Sequence, residues 1–245
     1  MLTLAPVVDP HCGRSSESVL SFDVAGDQWT APWGRHDAFG SAAYWVVQAA
    51  RGGYDRSVDT MGQTGLMTEI AFCILGGYGV SAEAAAAAHH SVRHLIASRC
   101  TDAQTYEERL LAPSPETGRR YRFPRQRAAR LAEAVRAHTE NPPPAPPLEL
   151  RDWLLALPGI GPKTAAWIVR THTGSDEVAI IDIWLIRALT ACGVFRETWD
   201  VRRDYGRFEE AFIQYASLGD VRASALDLCI WTQARTAGPS HLMSA

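Results

Sequence analysis

The sequence predicts a mainly α-helical protein with a mixed N-terminal extension. Several stretches carry apolar residues at helical spacing, from residue 66 almost to the end of the chain. Convincing strand patterns are few, and no internal repeat is visible. A proline-rich connection, Asn141–Pro147, divides the helical stretches into two groups, because proline lacks the amide hydrogen that a helix interior needs.

The predicted helices begin after the extension. Leu66–Leu75 is apolar nearly all round, which predicts a buried helix that ends at the glycines following it. The alanine-rich stretch Ser81–Ser98 has high helix propensity. Its two histidines, His89 and His90, would point about 100° apart, so we expect them at the surface and not as joint metal ligands. The other predicted helices are Pro124–His138, Glu149–Ala156, Lys163–Thr171, Asp182–Cys192, Tyr205–Leu218 and Ala223–Arg235.

The chain is expected to divide into an extension and a core. Residues 1–58 mix Gly, Pro and Trp with short apolar runs, Val19–Val24 and Ala42–Ala50, whose periodicity assigns no clear structure. We expect this extension to pack onto a helical core formed by residues 59–245, in which a hairpin motif lies at about residues 150–172.

Composition excludes several classes of protein. A hydrophobic share of 47% and a charged share of 21% are typical of a globular protein, not of a disordered one. The sequence shows neither a secretory signal nor an apolar run long enough for a membrane span, so we expect a cytoplasmic protein with no membrane partner. The five cysteines are widely spread, which argues against a disulfide framework and against a close-spaced zinc or iron–sulfur motif.

Charge gives two opposing indications about nucleic acid as a partner. The net charge of -3 is a mild argument against it, because phosphate neutralisation needs clustered Lys and Arg. Such a cluster can be local, however, and seven arginines stand between Arg119 and Arg136 against one acid, Glu133. A solvated helix face remains the alternative explanation of this run.

The most informative segment is Leu154–Val169, which contains Leu-Pro-Gly-Ile-Gly-Pro-Lys at 157–163. One apolar helix ends near Pro158, two glycines flank Ile160, and a second helix begins with a proline in its favoured first turn. This pattern predicts a helix–hairpin–helix. Glycines allow a phosphate to approach the backbone, and free amides at the start of the second helix point at it. Such a motif binds a DNA backbone without sequence readout, although glycine turns also occur where two helices merely pack tightly.

Lys163 is the candidate nucleophile. It falls in the first turn of the second hairpin helix, where the positive end of the helix dipole disfavours an ammonium group, as burial would. A neutral amine can attack a sugar carbon. An exposed lysine that contacts phosphate is the alternative, but Lys163 is the only lysine in the chain, which indicates a task that arginine cannot do.

Asp182 is the second catalytic candidate. It interrupts the apolar stretch Val178–Ile186 and stands 19 positions after Lys163. An aspartate at such a boundary can be a helix N-cap alone. A carboxylate in apolar surroundings can also stabilise the positive charge that develops on a sugar as its base departs. Capping would fix the side chain for that second role.

The hairpin and the aspartate that follows it resemble the helix–hairpin–helix DNA glycosylase superfamily. Within it, the chain is most similar to 8-oxoguanine DNA glycosylases of the archaeal-type second branch. The similar stretches are collinear over about residues 66–235 and comprise Glu69–Leu75 with Ser81–Glu83, Tyr121–Ala128, the hairpin, Val178–Asp182 and Leu226–Trp231. The chain departs from that branch after Asp182, where Ile183 and Trp184 follow, and in having no lysine near residue 245.

The resemblance implies two helical lobes with the active site in the cleft between them. It implies a bifunctional glycosylase and lyase that excises an oxidised purine, most simply 8-oxoguanine, flipped out of duplex DNA. Lys163 would form the Schiff base and Asp182 would assist. The hairpin would hold the DNA backbone and a monovalent cation through main-chain groups. Its DNA-backbone candidates are Gly159, Ile160, Gly161 and Thr164, and the candidates for base recognition are Trp231, Phe72, Tyr78 and Gln48.

Other expectations accompany the resemblance. For each base-recognition candidate an ordinary core role is an equal alternative. The cysteine set of the endonuclease III branch is absent, so we expect no iron–sulfur cluster, no required cofactor and no other metal site. A monomer, nucleoid-associated in a prokaryote, is expected. Two other functions stay open: a glycosylase acting on a different damaged or modified base, and a non-catalytic DNA-binding protein built on the same hairpin.

Overall fold

The computed structural model describes residues 8–54, 65–114 and 118–238. In these ranges the chain is mainly helical, as the sequence predicts, and it also contains one small antiparallel sheet. The strands are β1 (Val19–Val24) and β2 (Asp27–Pro32). The helices are α1 (Ala42–Ala50), α2 (Leu66–Leu75), α3 (Ala82–Ala97), α4 (Ala103–Leu111), α5 (Pro124–Glu140), α6 (Pro147–Leu155), α7 (Pro162–Thr173), α8 (Ile183–Ala191), α9 (Tyr205–Leu218) and α10 (Ala223–Ala237).

Contacts group the chain into two compact units. Unit 1 comprises Met1–Thr60 together with Ser175–Ala245, and unit 2 comprises Met61–Gly174. The grouping differs from the expected division into an extension and a core at residue 58, because β1 packs on α9 and α1 packs on α10. The N-terminal region thus shares a core with the C-terminal helices, and the hairpin helices α6 and α7 belong to unit 2.

Unit 1 contains a β-hairpin, formed by β1 and β2, in which β1 packs on α9. Side chains of β1 alternate between exposed and buried, so that Leu20, Phe22 and Val24 enter the core. Ala25 and Gly26 at the turn both have positive φ, as a two-residue hairpin turn of the primed type requires. The Tyr215 hydroxyl of α9 donates to the carbonyl oxygen of Ala42 at 2.6 Å, which ties α9 to the start of α1.

Unit 2 is built around α2, which packs against α3, α5 and α7. Ile70, Ile74 and Leu75 of α2 are fully buried. The buried Glu69 carboxylate accepts from the Thr171 hydroxyl of α7 at 3.0 Å, so a polar contact also joins these helices.

Two details differ from expectation. His89 is only partly exposed, beside the ring of Phe72 with 6.2 Å between the ring centroids, so it is more buried than predicted. Burial lowers the pKa of its imidazole. His90 is exposed, as predicted. Helix α4 was not anticipated. Its N-cap Asp102 accepts from the amides of Gln104 and Thr105 at 3.2 and 3.0 Å.

Across the described part of the chain, no helix is long and apolar enough to cross a membrane.

Candidate functional site

The hairpin in unit 2 has the geometry that its sequence predicts. Helix α6 ends with bonds from the Leu157 amide to Leu154 O at 3.0 Å and from the Ile160 amide to Leu157 O at 3.1 Å. Ile160 is buried and anchors the turn, while the glycines on both sides of it are exposed. Gly161 is the extended N-cap of α7, and Pro162 follows at the first helical position.

The start of α7 can bind an anion. Gly161 has no side chain with which to cap the helix, and the first intrahelical bond runs from the Ala165 amide to Gly161 O at 2.9 Å. The amides of Lys163 and Thr164 precede that bond and lie at the positive end of the helix dipole. A Cβ added to Gly161 would meet nothing within 4 Å, so the approach to these amides is open.

Gly159 is required by both its backbone and its neighbour. Its φ is +88°, a conformation that residues with a side chain rarely adopt. A Cβ there would lie 2.6 Å from the Nε atom of Arg130, because this arginine of α5 lies against the turn. Burial, and next the like charge of Arg127, lowers the pKa of the Arg130 guanidinium. Sequence reasoning singled out the arginine run but not Arg130's contact with the hairpin.

A glycine-to-alanine pair tests this geometry. Gly159→Ala is expected to lower the free energy of unfolding by about 1–2 kcal/mol, because φ is positive and Arg130 must move. Gly161→Ala is the matched control and should destabilise the protein less, since φ there is negative and the space is open. Urea unfolding of both variants measures the difference. Equal destabilisation by the two substitutions would contradict the role given to Gly159.

Lys163 is exposed in the first turn of α7. Exposure leaves its amine accessible, so the burial that the sequence left open does not occur at this position. Thr164 is half-buried beside it. The two side chains thus leave the N-terminal end of α7 accessible from solvent.

Asp182 in unit 1 is the N-cap of α8 and is 8% exposed. Its Oδ1 atom accepts from the amides of Trp184 and Leu185, at 2.8 and 2.9 Å. Both capping bonds use the same oxygen. The geometry fixes the carboxylate and leaves Oδ2 outside the cap, so capping and a second electrostatic task are compatible.

The irregular segment before Asp182 is hydrogen-bonded to α9. The Glu209 carboxylate accepts from the Ala179 amide at 2.9 Å. The Tyr205 hydroxyl donates to Ala179 O at 2.7 Å and accepts from the Ile181 amide at 3.2 Å. Sequence reasoning missed Tyr205 and Glu209; the signal available was that Glu209 occupies an apolar-face position of a predicted amphipathic helix.

The four base-recognition candidates fall in both units. In unit 2, Phe72 is half-buried on α2 and Tyr78 is fully exposed in the turn that follows this helix. In unit 1, Gln48 is half-buried on α1 and Trp231 is half-buried on α10. The Arg235 guanidinium carbon lies 4.0 Å from the centroid of the Trp231 ring. Tyr78 therefore has no core role, whereas the other three are partly packed.

Gln233 joins α10 to the end of α1 and was not singled out from the sequence. Its amide nitrogen donates to Gly53 O at 2.9 Å, and its amide oxygen accepts from the Tyr44 hydroxyl at 2.7 Å. A Cβ on Gly53 would lie 3.0 Å from Gln48 O and 3.1 Å from the Gln48 side-chain oxygen. Gln48 and α10 thus meet at a glycine that has little room for a side chain.

No three His, Cys, Asp or Glu residues within the described ranges lie close enough together to hold a metal ion. A cation at the hairpin, as the resemblance implies, would need main-chain oxygens that accept no hydrogen bond within the turn. The internal hydrogen bonds of the hairpin use the carbonyls of Leu157 and Gly161, so the carbonyls of residues 158–160 remain outside those bonds.

Comparison with known proteins finds one matching family and several similar solved structures. The model of the 8-oxoguanine DNA glycosylase family matches residues 48–221. The solved 8-oxoguanine DNA glycosylase of Thermotoga maritima is 22% identical over 78% of this chain and 95% of its own, with a TM-score of 0.56, and supports the fold.

Two structures of the Methanocaldococcus jannaschii 8-oxoguanine DNA glycosylase are also similar. One is 26% identical over 71% of this chain and 78% of its own, with a TM-score of 0.52. The other, a glycosylase/lyase in complex with 15mer DNA containing 8-oxoguanine, is 26% identical over 77% and 89%, with a TM-score of 0.53. No curated protein sequence matches significantly.

Proposed function

This chain belongs to the 8-oxoguanine DNA glycosylase family, whose model covers residues 48–221, and we propose that it excises 8-oxoguanine from duplex DNA and then nicks the strand as a lyase. The single observation that carries the lyase assignment is the position of Lys163. It is the only lysine of the chain, and its exposed amine stands in the first turn of the hairpin helix. A similar protein with DNA glycosylase and lyase activity has been solved on DNA containing 8-oxoguanine.

The proposed reaction begins at the sugar of the damaged nucleotide. The lone pair of Lys163 Nζ attacks C1′, and the bond from C1′ to the base breaks, so that its electrons and a proton leave with the base. The Asp182 carboxylate stabilises the positive charge that develops on the sugar. The sugar ring then opens to a Schiff base between Nζ and C1′. Removal of a C2′ proton breaks the C3′–O bond, which nicks the strand.

The hairpin would position the duplex for this reaction. The amides at the start of α7, together with Gly159 and Ile160, suit a backbone phosphate, which they would bind without reading sequence. A monovalent cation on the hairpin carbonyls would add positive charge at the same phosphate. That cation, a monomeric state and the absence of an iron–sulfur cluster stay predictions.

Base recognition would use aromatic stacking and amide contacts. Tyr78 offers a fully exposed ring, and Trp231 a ring stacked on Arg235. Phe72 and Gln48 are the further candidates. Phe72 offers an aromatic ring for stacking, and the side-chain amide of Gln48 can hydrogen-bond to a base edge. Tyr78 and Gln48 lie outside the stretches of sequence that resemble the family, so the identity of the lesion needs its own experiment.

Borohydride trapping tests the proposal directly. The protein is incubated with duplexes that carry 8-oxoguanine opposite each of the four normal bases, or an abasic site, and covalent complexes are counted on denaturing gels. Trapping on 8-oxoguanine is expected. Trapping on the abasic site alone would keep the Schiff-base chemistry and favour a different damaged base. No trapping on either substrate would contradict the lyase assignment and favour a non-catalytic DNA-binding protein.

A further inference from the structure

A cavity of about 320 Å³ lies within unit 2, away from the start of α7. Its floor is made of small apolar side chains and one leucine, Ala84, Ala87, Ala88 and Leu110. Its walls come from α3, from the end of α4, and from residues 112–114 and 119–121. The volume is within the range of small-ligand sites, and the alanine side chains of the floor are short.

The walls of this cavity are strongly basic. Among the described residues that line it, four arginines and two histidines stand against one carboxylate, that of Glu83. The basic residues are His90, Arg93, His94, Arg109, Arg119 and Arg120. The whole chain has a net charge of -3, so the cavity departs sharply from the average surface. Clustered charge of one sign along a concave surface attracts an anion.

Several wall groups are held in place. The Nε atom of Arg109 donates to Ser91 O of α3 at 3.3 Å, which orients this guanidinium. The Ser114 amide donates to Arg119 O at 2.9 Å, and the Gly118 amide donates to Ser114 O at 2.8 Å. These bonds fix the backbone at Arg119. Guanidinium groups match the oxygens of a phosphate in pairs, so phosphate is the anion that these walls suit best.

A chain of contacts connects the cavity to the hairpin. Tyr121 lines the cavity, and its hydroxyl donates to Leu75 O. Burial raises the pKa of this hydroxyl, and a hydrogen bond with Arg127 and the charge of Arg127 oppose that rise. Arg127 is also near enough for its like charge to lower the pKa of Arg130, after the larger effect of burial, and Arg130 lies against Gly159. Positive groups therefore continue from the hairpin to the cavity within one unit.

We propose that this cavity binds a backbone phosphate of the same DNA duplex that the hairpin holds, and so forms a second phosphate subsite. The proposal rests on the proposed function, because it takes DNA as the partner. Arg93 and Arg120 would contact the phosphate oxygens, and the alanine floor would leave room for the neighbouring sugar. A free nucleotide carries the same phosphate chemistry and is the other source that the experiment must distinguish.

The test compares two double variants of the full chain. Arg93→Gln/Arg120→Gln removes two cavity charges, and Arg203→Gln/Arg207→Gln removes two exposed charges from unit 1 as the matched control. Fluorescence anisotropy gives the affinity for an undamaged duplex over a salt series. The slope of log affinity against log salt is expected to fall in magnitude by about one in the cavity variant, the value for one lost phosphate contact, and to stay unchanged in the control.

A second arm titrates deoxyguanosine monophosphate and inorganic phosphate into the wild type and the cavity variant by calorimetry, with thermal unfolding confirming that both are folded. Neither small molecule is expected to bind at millimolar concentration. One opposing outcome is that the nucleotide binds the wild type but not the cavity variant, while the salt dependence of duplex binding is the same in both. That outcome would overturn the assignment to DNA and favour a free nucleotide as the ligand. Unchanged slopes without nucleotide binding would overturn the subsite. Duplex binding without base excision would contradict the proposed function and leave this result standing.

Discussion

Lys163→Gln is expected to abolish borohydride trapping on abasic and 8-oxoguanine duplexes and to slow base excision by about 10³-fold or more, the order seen when a covalent nucleophile is removed. No other lysine can take over, because the chain has none. The side chain is exposed in the first turn of α7, so the substitution removes no core packing. Single-turnover excision and gel analysis of trapped complexes measure the two effects.

Lys163→Arg separates the two tasks that this residue could have. Arginine keeps the positive charge and can contact a phosphate, but its guanidinium is not a nucleophile at neutral pH. We expect Lys163→Arg to bind an undamaged duplex as tightly as the wild type and still to fail in trapping. Trapping or excision by the arginine variant at the wild-type rate would show that Lys163 only contacts the backbone.

Local sequence patterns predicted much of the fold. The bounds of α2 and α9 agree with the predicted ranges, because their apolar periodicity begins and ends sharply at turn residues. Helix α4 was not predicted from the sequence because only Tyr106 and Leu110 on it are buried. Two apolar positions are too few to show a helical apolar stripe in the sequence. The β1–β2 hairpin was not predicted either, because its turn is Ala25 and Gly26 and lacks the Asn-Gly or Asp-Gly pair that usually indicates a hairpin turn.

The candidate site divides in the same way. Lys163 and Asp182 could be named from the sequence because each interrupts a local pattern, one as a lone lysine and the other as an acid in an apolar stretch. The contacts of Arg130 with Gly159 and of Gln233 with Gly53 join residues far apart in the chain. Contacts between residues so far apart in the chain cannot be inferred from the local patterns of a single sequence. The same limit applies to the grouping of the N-terminal strands with α9.

Asp182→Asn is expected to slow single-turnover excision by about 10²–10³-fold while leaving the fold intact. Both capping bonds of α8 use Oδ1, and the side-chain oxygen of asparagine can accept them, since asparagine is as good an N-cap as aspartate. What the variant lacks is the negative charge that would stabilise the developing positive charge on the sugar. Excision kinetics at saturating protein isolate this step from DNA binding, and thermal unfolding should change little.

Asp102→Asn is the control, because Asp102 is likewise an N-cap and accepts two amides at the start of α4. These amides use separate oxygens, Oδ1 and Oδ2, so asparagine can keep only one of the two bonds. The control therefore removes one negative charge and also weakens a cap, so a general effect of either change on excision would appear in it. We expect only Asp182→Asn to be slow. If both variants excise at the wild-type rate, Asp182 acts as a helix cap alone, and the stabilisation of the sugar must come from another group.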